Sequence, residues 1–126
     1  MLKAFKPLIA LSLLPIAAAC GGGGGESTDT IPADTNLVVT ATNAIAFDKT
    51  DYSVAAGEIA VAYQNDSPIR HTLIVIEDGE KVPDFKLVVN KKGDVDTGSI
   101  TLPAGTYTLF CDVPGHTNMK ATLTVE

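Results

Sequence analysis

From Asn36 onward the chain alternates short apolar runs with turn residues, and no window keeps apolar positions at helical spacing for long. Runs rich in Val, Ile, Thr, Tyr and Phe predict strands at 37–41, 52–54, 58–65, 71–76, 86–89, 97–102, 106–111 and 119–125. Breaks fall at Ala56-Gly57, Asp66-Ser67-Pro68, Asp78-Gly79, Lys92-Gly93, Pro103-Ala104-Gly105 and Pro114-Gly115. A short helix over 82–85 is the one exception the pattern allows. Eight or so strands with Gly/Pro punctuation and no helical core predict an all-β sandwich or barrel.

Strand alternation assigns faces. In the last run Met119, Ala121, Leu123 and Val125 share one side, and Lys120, Thr122, Thr124 and Glu126 the other, so Met119 points into the core. In the run before it Tyr107, Leu109 and Cys111 share a side that the polar Thr106 and Thr108 mark as the inner one. His71 falls on the same side as Leu73 and Val75, in a run apolar on both faces. A loop over 112–118 joins Cys111 to Met119 and contains His116, which puts these residues at one end of the domain.

Ahead of the folded part lies a different composition. Lys3 and Lys6, the apolar 8–16 and the small Ala17-Ala18-Ala19 predict a secretory leader over 1–19, too short to span a bilayer. Cys20 and the glycines that follow, Gly21 to Gly25, resemble a bacterial lipoprotein processing site, which implies a lipidated Cys20. Ordinary cleavage after Ala19 with a free Cys20 is the alternative. A tether over 20–35 then precedes the domain at 36–126. The chain would be exported and held to a membrane by lipid, facing the periplasm or cell exterior.

The whole chain has 126 residues and a net charge of −6, and removal of Lys3 and Lys6 with the leader takes it nearer −8. That sign excludes nucleic acid as a partner. The rare residues narrow the chemistry further, for beyond Cys20 and the initiator the chain holds only His71, Cys111, His116 and Met119 as soft or imidazole donors. This is too few thiolates for a zinc ribbon or an iron–sulfur cluster. A thiolate and a thioether suit Cu(I), and imidazoles suit Cu(II), so the set favours a centre that passes one electron. It offers no obvious open position for a substrate, which argues against an enzyme.

The segment from Ala104 through Cys111-Asp-Val-Pro-Gly-His116-Thr-Asn-Met119 to Val125 resembles the ligand loop of the cupredoxins, the auracyanin, azurin and plastocyanin groups in particular. Asn65-Asp-Ser-Pro-Ile-Arg-His71-Thr-Leu-Ile-Val-Ile76 resembles their upstream histidine segment, and the stretch from Phe47 to Glu58 their second strand. The resemblance implies a Greek-key sandwich. It also implies one type 1 copper with His71, Cys111 and His116 as strong ligands and Met119 as the weak axial one. Only two residues separate His116 from Met119, where relatives with this Cys-to-His spacing usually place three or four. The backbone carbonyl of Arg70 is the alternative axial group. Asn65 is expected to steady the ligand loops.

The function that follows is a monomeric one-electron carrier. It would dock redox proteins near His116 through Pro68, Ile69, Val113, Pro114 and Gly115, with Asp112 available to steer a basic partner. A copper trafficking or resistance protein using the same ligands is the alternative, and a metal-free interaction domain a third.

Overall fold

Buried and open positions alternate along most of the strands of the computed structural model, which describes residues 30–126. The leader, Cys20 and the glycine run lie outside the described residues. The strands, in chain order, are β1 (Leu37–Thr42), β2 (Ala46–Phe47), β3 (Asp51–Val54), β4 (Gly57–Asn65), β5 (His71–Glu77), β6 (Glu80–Lys81), β7 (Leu87–Val89), β8 (Val95–Leu102), β9 (Gly105–Phe110) and β10 (Lys120–Val125). They form two sheets, one ordered β2-β1-β4-β8 and the other β3-β10-β9-β5-β6, with β7 also pairing β5. Two pairings are parallel, β1 with β4 and β10 with β3. Parallel neighbours cannot be joined by a hairpin, so the chain between β1 and β4 passes through the opposite sheet at β3.

The inner faces meet in one core. Val39, Ile59, Tyr63, Leu73, Leu109 and Leu123 are essentially sealed from solvent, each supplied by the inward phase of its strand. As the alternation predicts, Tyr107, Leu109 and Cys111 are buried together, and so are Met119, Ala121, Leu123 and Val125. The β5 positions Thr72 and Ile74 are buried as well, which explains why that run is apolar on both faces.

Three expectations need correction. The stretch 82–85 forms no helix. Asp84 sits at φ +62°, a conformation that ends a helix, while the Val82 amide donates to the Val75 carbonyl at 2.8 Å. Strands β2 and β6 escape the pattern because two residues are too few to show alternation. The turn before β6 is nonetheless marked, since Asp78 and Gly79 both take positive φ, +50° and +81°, as a two-residue hairpin of the Asp-Gly kind requires. The last strand begins at Lys120 rather than Met119.

Two buried tyrosines differ in one respect. The Tyr107 hydroxyl donates to the Pro103 carbonyl at 2.8 Å, tying the start of β9 to the turn before it. The Tyr63 hydroxyl is fully buried and has no partner among the described residues, and burial pushes its phenol pKa well up. Removing a satisfied hydroxyl costs about 1 kcal/mol, whereas removing an orphaned one relieves a desolvation penalty of similar size. Tyr107→Phe is therefore expected to lower, and Tyr63→Phe to hold or raise, the unfolding free energy of the metal-free chain in urea. Equal losses in both would refute the distinction.

Candidate metal centre

Register brings the four expected residues to one pole. β5 runs antiparallel to β9 with Ile74 opposite Phe110, so His71 at the start of β5 lies near Cys111, which follows β9. β9 and β10 are paired from Lys120↔Phe110 onward, and the Cys111 amide adds one more rung by donating to the Met119 carbonyl at 3.1 Å. The loop between them is thereby closed at its base.

Inside that loop two β-turns share His116. The His116 amide donates to the Val113 carbonyl at 3.0 Å, and the Met119 amide donates to the His116 carbonyl at 2.9 Å. Pro114 and Gly115 occupy the middle of the first turn, and Gly115 takes φ +89°, the value that favours glycine at the third position of a type II turn. The second turn accounts for the short spacing, because a four-residue turn leaves two residues between its ends. The unusual separation of His116 and Met119 is thus a local hydrogen-bonded geometry.

His71, Cys111 and His116 are all buried, and one ligand atom of each lies within 4.8 Å of the others. The imidazoles stand with ring centroids 4.9 Å apart, and Cys111 Sγ is 3.6 Å from His116 Nδ1. Met119 is wholly buried and belongs to the same core cluster as Cys111. His116 is 8% exposed, the least sealed of the four. Pro68, Ile69, Arg70, Pro114 and Gly115 are open to solvent around this end, and Val113 is half-buried.

Both ring nitrogens of His71 are buried without a hydrogen-bond partner among the described residues. An imidazole left this way has lost its water without compensation. A metal ion held with Cys111 and His116 would satisfy one of those nitrogens, and the donor set of two imidazoles and a thiolate suits copper. The residues present fit the ion. Burial, and next the neighbouring His116, hold the His71 pKa below its ordinary 6.5, which keeps the ring in the neutral form that binds metal.

Around Cys111 stand residues to which the sequence pattern assigns no role. The Thr72 amide donates to Cys111 Sγ at 3.4 Å. The Thr72 hydroxyl lies 2.5 Å from Asp112 Oδ1, and the Asp112 amide donates back to that hydroxyl at 2.9 Å. Lys86 Nζ pairs with Asp112 Oδ2 at 2.9 Å. The Thr72 hydrogen bond, above all, holds the Asp112 carboxyl below the usual carboxylate range; burial opposes this, and Lys86 assists. Asp112 stays exposed while its carboxylate engages Thr72 and Lys86. The one signal for Thr72 in the sequence is a polar residue inside an apolar strand. Asn65 behaves as expected, donating to the Ile69 carbonyl at 2.9 Å and accepting the Ser67 amide at 3.0 Å, which pins the approach to His71.

The description "Copper binding proteins, plastocyanin/azurin family" belongs to the family profile that matches residues 34–126. Auracyanin-A of Chloroflexus aurantiacus is 27% identical over 133 residues, 80% of this chain and 82% of the relative. Among solved structures, an azurin from Methylomonas sp. strain J is similar at TM-score 0.60 and 18% identity, over 75% of this chain and 99% of that one. Auracyanin B is similar at TM-score 0.58 and 24% identity, over 78% of this chain and 92% of its own. A purple cupredoxin from Nitrosopumilus maritimus gives TM-score 0.58 and 18% identity, over 72% of this chain and 100% of its own.

The lowered pKa of His71 has a consequence for stability. The unfolded chain takes up the His71 proton near 6.5, before the folded chain does, so the metal-free protein is fully stabilised above that pH and loses stability as pH falls below it. The loss amounts to about 1.4 kcal/mol for every pH unit by which the folded value lies lower. Urea unfolding of the metal-free chain at pH 7.5 and 5.5 should show a drop that His71→Leu largely removes. An equal drop in that variant would place the titration elsewhere.

Proposed function

The chain belongs to the plastocyanin/azurin family of copper-binding proteins, and from that premise we propose that it is a one-electron carrier built on a single type 1 copper. One observation carries the reading. Three donors of the required kinds, from β5 and from the loop after β9, converge within 4.8 Å with a buried imidazole left unpartnered. His71, Cys111 and His116 would hold the ion, with Met119 as a weaker fourth donor. Bound copper would supply the exchangeable electron. The protein's part is to hold a thiolate and two imidazoles in place for either oxidation state, so that little rearrangement accompanies transfer.

His116 is the ligand nearest solvent, and the exposed Pro68, Ile69 and Pro114 with Val113 give a partner an apolar surface there. Contact at that surface brings a redox protein close to the metal without opening the site. The domain acts outside the cytoplasmic membrane, tethered through lipid on Cys20, as a monomer.

Titration of the full chain with Cu(II) should raise an intense blue or green band that saturates at about one copper per chain. Cys111→Ser should abolish it, since the band arises from the thiolate. Met119→Gln should keep the colour and lower the reduction potential, because an oxygen ligand favours Cu(II) over Cu(I). A pale wild-type solution would turn the reading toward copper trafficking or a metal-free role. For the anchor, Cys20→Ser is expected to move the protein from the membrane fraction to the soluble one after cell fractionation. Unchanged membrane association would refute lipidation at that residue.

A further inference from the structure

A hydroxyl has one proton to give, and Thr72 has two acceptors for it. Cys111 Sγ lies 3.6 Å from Thr72 Oγ1, and Asp112 Oδ1 lies 2.5 Å from it. The shorter contact, to a charged oxygen, is the stronger claim on that proton. The Asp112 amide also donates to the same hydroxyl at 2.9 Å, which closes a two-bond ring and favours the carboxylate over sulfur as the acceptor of the hydroxyl proton. Lys86 holds the other carboxylate oxygen, Oδ2, at 2.9 Å and so keeps Oδ1 aimed at Thr72. Thr72 is 1% exposed, so bulk solvent does not compete for its hydroxyl.

We propose that Asp112 is a positioning residue for the copper ligand Cys111: by taking the Thr72 hydroxyl proton, it leaves the Thr72 amide as the thiolate's one hydrogen-bond donor, outside the ligand set, among the described residues. The inference rests on the copper–thiolate reading above. Its chemical content is electronic. Each hydrogen bond to a thiolate stabilises sulfur electron density, which raises the energy needed to move an electron from sulfur to Cu(II) and favours the reduced centre. Asp112 holds that number at one. Lys86 acts at one remove, through the carboxylate.

Four variants of the full chain, loaded with Cu(II), separate this role from a structural one. The readout is the position of the sulfur-to-copper band. Asp112→Ala frees the hydroxyl to turn to sulfur, so its band should move to shorter wavelength. Asp112→Asn keeps an acceptor oxygen for the hydroxyl while removing the charge, and should move the band much less. Thr72→Val should leave it in place, because the hydroxyl is not serving sulfur. The double variant, with Thr72→Val added to Asp112→Ala, should return the band to its wild-type position.

A shift in Asp112→Asn as large as in Asp112→Ala would assign the effect to charge and overturn the proposal. So would a shift to longer wavelength in Thr72→Val, which would place the hydroxyl on sulfur from the start. An intense wild-type band that Asp112→Ala leaves unmoved refutes this proposal alone. A wild-type chain with no intense band overturns the copper–thiolate reading and this inference with it.

Discussion

A single rung, the Cys111 amide donating to the Met119 carbonyl at 3.1 Å, makes the metal end possible. It extends the β9–β10 ladder beyond the last strand residues and fixes the base of a loop whose own hydrogen bonds fold it into two turns. Because those turns share His116, its backbone has no independent freedom: its amide and its carbonyl are both committed within the loop. One backbone geometry therefore sets three of the four donor residues, and the register of β5 against β9 brings the fourth. Inserting a residue between His116 and Met119 would break the second turn and leave the Met119 amide without its acceptor, at a depth where an unpaired amide is costly.

The protein holds this arrangement against the preference of its side chains. A buried imidazole whose two nitrogens have no partner among the described residues is unfavourable by itself, and the fold seals the ring completely from water. Rigidity of that kind suits electron transfer. Donors set by backbone hydrogen bonds and strand register have little cause to move when the charge of a bound ion changes, and the burial that disfavours a protonated ring favours a neutral one able to bind.

Much of this is legible in the chain, for reasons that differ by element. The long strands carry enough alternation to declare themselves, and that alternation by itself turns Cys111 and Met119 inward. The chemistry is legible because soft donors are scarce here and those among the described residues fall at one end. β2 and β6 are not legible, since two residues have no period and Glu80-Lys81 has no apolar face. The helix allowed at 82–85 fails because Asp84 adopts a left-handed backbone, which short apolar runs do not reveal. The grip of Asp112 on Thr72 joins residues 40 apart in sequence, and pairings at that distance exist only once the sheet has formed.

The same contact bears on how the domain meets other proteins. A net charge of −6 suggests an acidic surface throughout, but the distribution is uneven. At the metal end, Asp112 is paired with Lys86 at 2.9 Å, Asp66 lies 3.8 Å from Lys92, and Arg70 stands exposed. The hairpin at the other end of β5 carries Glu77, Asp78 and Glu80 with only Lys81 among them. Seven residues of strand at the usual rise of ~3.3 Å put these poles about 20 Å apart, beyond the screening length at physiological salt. The carboxylates of that hairpin therefore contribute little at His116, where the surface is apolar and close to neutral. Under the proposed reading, a partner would meet that surface without having to desolvate a cluster of unpaired carboxylates, and close approach to the imidazole is what electron transfer would require.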